Sequence, residues 1–413
     1  MANLQAGSLT EIERSHKADY YKWVVLTLTT AVQTGTAFIS QGIGALSPFL
    51  ESQLHMSKAQ VGLAVGAINL GIAFTAILFG KLTDLFGEKK ILVTGGVMAG
   101  LSIMIASQSP SFGVLLGLLL LTGLWSASST PAGSKAIMTW FPYSMRGFAI
   151  GVRQTGVASG GFLAALILPV VAIHSNWRWS LIFAGAISIV TALVCMLLYR
   201  ESKQPSPDAP IKHPKPAKIK TMLRNKSILW ASIGATAFVG AQFIIIGYIQ
   251  LFLQSRLSLP VAITAYFLAI AQLSGVAGRI LWGVISDRYW AGARKPVMMI
   301  IGMIIALMSL SMLLIRPGVP LWLVAVDIAV FGFSAIGWNG IWIALLSELV
   351  DKDHSGTAVG MGMTVLQIGV LIFPFLFGWL IDWFGSYAVS WIGLFILMCL
   401  SLLIISRVRE TRN

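Results

Sequence analysis

The stretch Gly80-Lys81-Leu82-Thr83-Asp84-Leu85-Phe86-Gly87-Glu88-Lys89-Lys90 is a short polar segment that separates two long apolar runs. A similar segment occurs later, as Gly283-Val284-Ile285-Ser286-Asp287-Arg288 followed by Arg294-Lys295, and it also separates two apolar runs. The aspartates of the two segments, Asp84 and Asp287, are about half the chain apart. This spacing predicts that the chain contains two copies of one group of membrane helices. Each polar segment then forms a hinge between two helices.

The composition excludes a soluble globular protein. Of the 413 residues, 56% are hydrophobic and 11% are charged, and the mean hydropathy is +0.82, whereas soluble domains carry about 25% charged residues. A run of about 20 apolar residues crosses a bilayer as an α-helix, because a helix satisfies its own backbone hydrogen bonds. Twelve such runs predict an all-α membrane protein with twelve transmembrane helices. They are Val24–Leu50, Ala59–Gly80, Ile91–Ser107, Val114–Trp140, Gly147–Ile173, Trp177–Leu198, Ile228–Leu253, Ala262–Ile285, Val297–Leu314, Leu321–Leu349, Thr357–Ile381 and Ala388–Ile405.

The net charge of +14 is distributed in a way that argues against nucleic-acid binding. If the Asp84 segment faces the cytoplasm, most lysines and arginines lie in loops on that side. The loops on the other side contain only four basic residues, which are Lys58, Arg178, Arg256 and Arg316. Because positive residues concentrate in cytoplasmic loops, this bias predicts that both termini are cytoplasmic. The net positive charge then reflects which loops of a protein in the lipid bilayer lie in the cytoplasm.

An internal repeat defines the organisation of the chain. Gly123 through Gly151 aligns with Gly332 through Gly360 at an offset of 209 residues. Residues 200–226 contain five prolines and many basic residues, a composition that cannot form a packed core and favours a flexible cytoplasmic tether. The predicted units are a cytoplasmic tail (1–22), a six-helix bundle (23–199), the linker (200–226), a second six-helix bundle (227–406) and a cytoplasmic tail (407–413).

The two polar segments resemble the loop between helices 2 and 3 of major facilitator superfamily transporters, with matches at Gly80, Asp84 and Gly87. The resemblance covers nearly the whole chain and implies two pseudo-symmetric six-helix bundles related by an axis along the membrane normal. In the superfamily this loop latches the closed cytoplasmic side. The resemblance therefore implies a gating role for Asp84, Asp287 and Arg288.

Helices 4 and 5 depart from the motifs of the proton-coupled drug exporters of this superfamily. Those exporters place an arginine four residues before the helix-4 glycine, whereas this chain has Leu119 before Gly123. Helix 5 matches their motif at Gly156 and Gly160 but has Val157 where they have a proline. These departures weaken the alternative function, which is proton-driven efflux of a lipophilic or drug-like compound, without excluding it.

Three basic residues lie inside the predicted helices at a similar depth. Lys135, Arg153 and Arg279 are each five or six residues from one end of their runs, roughly 8–9 Å inside the cytoplasmic boundary at 1.5 Å per residue. A charge at that depth costs a few kcal/mol unless it is compensated. It can snorkel to head groups, pair with an acid or bind an anion. Lysine is suited to snorkelling, whereas the guanidinium fork of arginine is suited to a carboxylate.

The arginine of helix 8 carries a second resemblance. The sequence Gly278-Arg279-Ile280-Leu281-Trp282-Gly283 with Ser286-Asp287 is similar to helix 8 of monocarboxylate and oxalate–formate transporters, which place a substrate-binding arginine four residues before the glycine. This resemblance implies that Arg279 binds an anionic substrate. We predict that Arg153, which belongs to the first half of the chain, binds the same negative charge. We also predict that Lys135 attracts the anion electrostatically without touching it. The monocarboxylate carriers have an aspartate where this chain has Gly275, which leaves the substrate open.

Polar and aromatic residues on other helices complete the predicted substrate site. In the superfamily, helices 1, 4, 7 and 10 line the cavity, and an uncharged amide in a membrane helix prefers a bundle interior. The candidates are Gln33, Gln154, Gln242, Tyr248, Trp338 and Asn339. A hydrogen bond between helices explains Gln33 equally well, and packing or interface anchoring is the more common role of the aromatic residues.

Asp327 is the candidate for proton coupling. It is six residues into helix 10, about 9 Å from the outer end, and is the most deeply placed acid of the predicted bundle. A carboxyl group in a low-dielectric setting can load and release a proton. A structural hydrogen bond to a neighbouring helix is the alternative interpretation.

Other functional classes find no support in the sequence. We find no Gly-x-x-x-x-Gly-Lys-Ser/Thr phosphate loop, no nucleophile–base pattern, no metal-ligand spacing of the two cysteines and no added signalling domain, so neither enzyme, cofactor, metal nor sensor is expected. The sequence predicts a secondary active transporter of a plasma membrane or bacterial inner membrane, functional as a monomer. Its predicted activity is alternating-access transport of a small organic anion of the carboxylate type, by proton symport or anion exchange.

Overall fold

The computed structural model describes residues 2–201, 225–350 and 355–410. In this part of the chain all regular structure is helical, and twelve helices are long and apolar enough to cross a membrane. The prediction of an all-α protein with twelve membrane spans is therefore confirmed. Most of the predicted linker, 200–226, lies outside the described residues, so the flexible tether stays a prediction.

The helices divide into two sets of six membrane spans, one on each side of the linker. The first set comprises α1 (Ala2–Ala45), α2 (Ser47–Leu54), α3 (Lys58–Phe86), α4 (Glu88–Ala106), α5 (Phe112–Ser126), α6 (Ser129–Trp140), α7 (Tyr143–His174) and α8 (Trp177–Leu198). The second comprises α9 (Lys226–Leu257), α10 (Val261–Tyr289), α11 (Arg294–Ser311), a 3₁₀ turn (Met312–Leu314), α12 (Leu321–Ala335), α13 (Asn339–Glu348), α14 (Ser355–Phe384) and α15 (Tyr387–Ser406).

Local sequence explains both ends of α3. A capping box starts the helix, since Ser57 Oγ accepts the Gln60 backbone N–H while the Gln60 side chain accepts the Ser57 backbone N–H. Gly87 ends it with a φ of +87°, a backbone conformation that favours glycine. The polar Asp84 segment is therefore a tight hinge between α3 and α4, as the sequence predicts.

The first predicted run, Val24–Leu50, is two helices rather than one. α1 ends at Ala45, and α2 begins at Ser47 with Pro48 in its first turn. Proline has no N–H and its ring clashes with the carbonyl one turn earlier, so a continuous helix is disfavoured here. The chain starts a short second helix instead.

Two membrane spans are interrupted at positions that the internal repeat makes equivalent. The fourth span is divided into α5 and α6 at residues 127–128, and the tenth into α12 and α13 at residues 336–338. Ala127 and Ile336, at which the two interruptions begin, are 209 residues apart, the offset of the repeat. An interruption leaves backbone groups without their usual helical partners, and inside a membrane such groups need other partners.

Glycines allow the two bundles to approach closely where α3 meets α14. A Cβ atom added to Gly62 would lie 2.4 Å from the Pro374 carbonyl oxygen, and one added to Gly378 would lie 2.2 Å from that of Lys58. Distances under 3.0 Å essentially never occur for real Cβ atoms. Any larger residue at either position would push α3 and α14 apart.

Polar contacts between the bundles gather at the end of the molecule opposite Asp84, which we call the closed end. The Asp382 carboxylate accepts the backbone N–H groups of Lys58 at 2.9 Å and Ala59 at 2.8 Å, in the first turn of α3. The Tyr248 hydroxyl donates to the Lys58 carbonyl oxygen at 2.6 Å. The described hydrogen bonds between the bundles all lie at this end.

Candidate functional site

Arg279 lies on α10 beside the interruption of the tenth span. Its Nε donates to the carbonyl oxygen of Ile336 at 3.3 Å, and the Asn339 Nδ2 donates to the same oxygen at 3.5 Å. The side chain is half-buried, and its two Nη groups form no hydrogen bond or ion pair with a described residue. The interruption therefore holds one edge of the guanidinium and leaves the other edge available.

Gln242 connects this arginine to α9. Its Oε1 accepts hydrogen bonds from Trp338 Nε1 at 3.2 Å and from Asn339 Nδ2 at 3.1 Å. Gln242 is near the middle of α9, deep in the membrane span. Arg279, Gln242, Asn339 and the Ile336 carbonyl thus form a continuous polar group from three spans, which we call the C-terminal cluster.

The aromatic candidates present no free ring to a substrate in this structure. Trp338 is fully buried, with its ring 5.6 Å from that of Phe238 and 5.8 Å from that of Trp342 between centroids. Tyr248 is also fully buried, and its hydroxyl is within hydrogen-bond distance of two backbone carbonyls at the closed end. Trp338 therefore orients Gln242, and Tyr248 joins the bundles.

Arg153 lies on α7 beside the interruption of the fourth span. Its Nη1 donates to Gln33 Oε1 at 2.8 Å and to the Ser129 carbonyl oxygen at 3.3 Å, and its Nη2 donates to Ser134 Oγ at 3.1 Å. The side chain is only 1% exposed, its Nε has no partner, and no acid pairs with it among the described residues. We call Arg153, Gln33, Ser129 and Ser134 the N-terminal cluster. No motif in the sequence marks these two serines as partners of Arg153.

The two arginines lie at nearly the same depth on opposite bundles. The bundles touch where Gly161 of α7 meets the side chain of Gln272 of α10. From this contact toward the Asp84 end, Arg153 is eight residues away along α7 and Arg279 is seven along α10. At 1.5 Å per residue these distances are about 12 and 10.5 Å. This geometry agrees with the common depth predicted from the sequence.

The Lys135 side chain forms its described hydrogen bonds outside both clusters, although the preceding residue, Ser134, belongs to the N-terminal cluster. Its Nζ is 3.1 Å from Asp84 Oδ1 and 3.0 Å from the Thr83 carbonyl oxygen, at the end of α3. Its charge is therefore compensated at the surface hinge, consistent with a lysine that reaches toward the head groups. The half-buried Gln154, next to Arg153 in the sequence, forms no hydrogen bond with a described residue.

The second polar segment is held by Arg294, which in the sequence is only one of two adjacent basic residues, Arg294-Lys295. Arg294 Nη1 is 2.6 Å from Asp287 Oδ1, and Arg294 Nε is 3.0 Å from Glu348 Oε1. This network joins α10, α11 and α13. Arg288 is exposed and belongs to no ion pair among the described residues.

Asp327 lies outside both clusters, between α12 and α11. Both carboxylate oxygens accept from Ser311 Oγ, at 2.8 and 3.0 Å. Its neighbours on α12, Val326 and Val330, are 54% and 40% exposed, which places Asp327 near the outer surface of the bundle. In this structure Asp327 therefore forms a hydrogen bond to a neighbouring helix, which is the alternative role that the sequence left open.

Two repeated six-span bundles that carry polar clusters beside interrupted helices are the architecture of a membrane transporter. The sequence profile of the Major Facilitator Superfamily matches residues 29–374. The chain therefore belongs to this superfamily, as the polar segments predicted, and it is a secondary transporter rather than an enzyme.

Proteins that are similar in sequence or structure are also transporters. The probable sulfoacetate transporter SauU of Cupriavidus necator is 23% identical over 373 residues, covering 84% of this chain and 84% of that protein. Monocarboxylate transporter 13 of Bos taurus is 27% identical over 341 residues, covering 80% of this chain and 76% of that protein. A solved structure of a bacterial homologue of the human lysosomal transporter Spinster matches with a TM-score of 0.78 at 18% identity, covering 94% of this chain and 97% of that one. The major facilitator fold is thereby confirmed.

Proposed function

We propose that this transporter moves a small organic anion, of the carboxylate type, by alternating access. The observation that carries the proposal is the half-buried Arg279 of the C-terminal cluster, whose Nη groups form no hydrogen bond and whose charge has no acidic partner among the described residues. A charge inside the membrane costs a few kcal/mol. An anionic substrate compensates that cost when it binds.

The geometry of the cluster favours a carboxylate over an inorganic point charge. The two Nη groups of a guanidinium form a planar fork that matches the two oxygens of a carboxylate. Nε is already held by Ile336, so the orientation of that fork is fixed before a ligand arrives. Gln242 and Asn339 extend the site with amide groups that can bind polar atoms of the same molecule.

The substrates in the names of similar proteins support the same class. Sulfoacetate and monocarboxylates are both small organic anions. We further propose that the substrate crosses a bacterial inner membrane, by proton symport or anion exchange, through a monomer with both termini in the cytoplasm. The charge bias of the loops supports this orientation.

Ligand affinity in Arg279→Gln tests the proposal. A thermal-shift screen of the purified chain against small carboxylates first identifies a ligand, because specific binding stabilises the folded state by mass action. A charge-assisted contact is worth about 1.5–3 kcal/mol, so the variant should bind that ligand about ten- to a hundredfold more weakly.

Lys135→Gln is the matched control, because it removes a positive charge that lies in the surface hinge rather than in the cluster. It should leave the affinity unchanged. Unchanged binding to a folded Arg279→Gln variant, or a preference of the parent protein for a cation, would show that the proposal is wrong.

A further inference from the structure

The segment that follows the last membrane span is bound to the second bundle, and we propose that it positions Arg294 at the second hinge. We call this segment, residues 407–410, the strap. Its residue Glu410 is a positioning residue, which acts on Asp287 and Glu348 through Arg294. The inference concerns the hinge and does not depend on which substrate the transporter carries.

Burial and hydrogen bonds hold the strap against two helices. Val408 is only 1% exposed. At the start of α9, Ser227 Oγ accepts the Arg409 backbone N–H at 3.1 Å and donates to the Arg409 carbonyl oxygen at 3.3 Å. On α11, Lys295 Nζ donates to the carbonyl oxygens of Ser406 at 2.6 Å and Val408 at 2.8 Å. The strap is therefore an ordered part of the second bundle.

Glu410 binds the first turn of α11. Its Oε1 accepts the backbone N–H groups of Arg294 at 2.8 Å and Lys295 at 2.6 Å. The first N–H groups of a helix have no partner within the helix, and the preceding residue, Ala293, supplies no side-chain cap. A carboxylate at this position also interacts favourably with the helix dipole. Glu410 thereby fixes the backbone of the residue that begins α11.

Arg294 converts this backbone position into contacts at the hinge. Its Nη1 is 2.6 Å from Asp287 Oδ1 on α10, and its Nε is 3.0 Å from Glu348 Oε1 on α13. Nη1 also donates to Ser286 Oγ at 3.0 Å. Because a guanidinium is a planar fork, it reaches acids on two different helices only from a narrow range of backbone positions. The position that Glu410 fixes is one that satisfies both acids.

The internal repeat provides a comparison within the same chain. Arg200-Glu201 and Arg409-Glu410 are 209 residues apart, the offset of the repeat. Glu201 also lies beside a hinge, since its Oε1 would be 3.3 Å from a Cβ atom added to Gly87, but it forms no hydrogen bond with a described residue. In that hinge Asp84 pairs with Lys135 of α6 and not with a residue of α4. Among the described residues, only the second half therefore connects its strap glutamate to its hinge aspartate.

Hydrogen exchange of the full-length purified chain tests the inference, because it measures local opening of backbone hydrogen bonds. Glu410→Ala should accelerate exchange at the start of α11 about two- to thirtyfold, the range expected for loss of a helix cap. We also expect at least about twofold acceleration at the ends of α10 and α13, which carry Asp287 and Glu348. Glu410 reaches those ends only through Arg294, whereas a simple cap would affect α11 alone.

Arg294→Gln separates positioning from capping. This variant keeps the backbone N–H that Glu410 binds but lacks the guanidinium, so it should accelerate exchange at the ends of α10 and α13. Adding Glu410→Ala should then accelerate those two ends no further. Glu410→Gln keeps an oxygen that can accept both N–H groups and should restore most of the protection that Glu410→Ala loses.

Glu201→Ala is the matched control, because it removes the equivalent glutamate of the first half. It should leave exchange at both hinges unchanged. Acceleration by Glu410→Ala that is confined to α11 would overturn the inference and leave Glu410 as a helix cap. Equal acceleration of the α10 and α13 ends with and without the Arg294 guanidinium would also overturn it.

Discussion

At the scale of single residues, the two arginines inside the membrane spans of this transporter have different surroundings. Arg153 is enclosed and uses both Nη groups for internal hydrogen bonds, whereas Arg279 uses only Nε. The enclosed residue connects α7 to α1 and α6. The half-buried Arg279 has two Nη groups left to bind a ligand. Substitutions at the two positions should therefore differ in how much they affect stability and how much they affect affinity.

Arg279→Lys should keep part of the function. Lysine retains the positive charge but lacks the planar fork, and it has no second group to hold the Ile336 carbonyl while it contacts a ligand. We expect the affinity for a confirmed carboxylate to lie between those of the parent and of Arg279→Gln, with little change in melting temperature. An affinity equal to that of Arg279→Gln would show that charge alone contributes nothing here.

Asp327→Asn should retain transport and any substrate-driven proton movement. An amide can replace the carboxylate as acceptor for Ser311, and Asp327 lies outside both clusters. Proton movement is measured with a pH-sensitive dye in vesicles, with Ser311→Ala as the control that removes the same hydrogen bond from its other side. Loss of proton movement in Asp327→Asn alone, with substrate binding intact, would identify Asp327 as the coupling group.

At the scale of helices, α13 connects the candidate site to the second hinge. Asn339 at its first residue belongs to the C-terminal cluster, and Glu348 at its last residue pairs with Arg294, which also binds Asp287. The helix has only ten residues and is separated from α12 by the interruption at 336–338. One short helix therefore connects the cluster directly to the hinge.

The sequence predicted the membrane spans and the repeat but not these interruptions. Apolar and small residues such as Ala127 and Ile336 continue the hydrophobic runs through both of them. Pro131, which has no N–H to donate to the Ala127 carbonyl four residues earlier, is a local signal for the first interruption, whereas the tenth span contains no proline. Hydropathy therefore cannot detect them. The equivalence of Gln33 and Gln242, which are 209 residues apart, was a signal in the sequence that points to the two clusters.

Contacts between side chains that are distant in the sequence could not be predicted either. Its depth in the sequence groups Lys135 with the two arginines, yet its flexible side chain reaches Asp84 on another helix. Depth along a helix is readable from a sequence, but the direction of a long side chain depends on which helices pack beside it. The same reason explains why the sequence did not reveal that Arg294 pairs with both Asp287 and Glu348.

Asp382→Ala should weaken the closed end. The Asp382 carboxylate caps two N–H groups of α3 from the opposite bundle, and an acidic group at a helix N-terminus is also favoured by the helix dipole. Loss of a capping side chain costs about 0.5–2 kcal/mol, so the population with this end open should rise up to about thirtyfold. The measurement is labelling of a cysteine introduced at the buried Ala45 by a membrane-impermeant thiol reagent.

Glu51→Gln is the control for this experiment. Glu51 is an acid at the same end, but it pairs with Lys58 inside its own bundle. Its loss should leave the labelling rate near that of the parent. Equal labelling of the Asp382→Ala variant and of the control would contradict a role for Asp382 in closure.

At the scale of the whole molecule, the described polar contacts between the bundles occupy one end, while the two hinge aspartates occupy the other. Within the described residues, Asp84 and Asp287 form ion pairs only inside their own bundles. Their side chains are 76% and 65% exposed. Exposed pairs contribute about 0–1 kcal/mol, so neither is a major source of stability.

Asp84→Asn and Asp287→Asn should therefore lower transport without unfolding the protein. We propose that both aspartates latch the cytoplasmic side when the closed end opens, so the loss of either charge should favour the state open to the cytoplasm. Labelling of a buried cysteine from the cytoplasmic side should rise, while the melting temperature changes little. Lys135→Gln is the control, because it removes the partner of Asp84 in this structure but keeps the aspartate. It should leave labelling nearly unchanged, which would show that the effect of Asp84→Asn does not come from the loss of this ion pair. Full transport with unchanged labelling in Asp84→Asn would refute the latch.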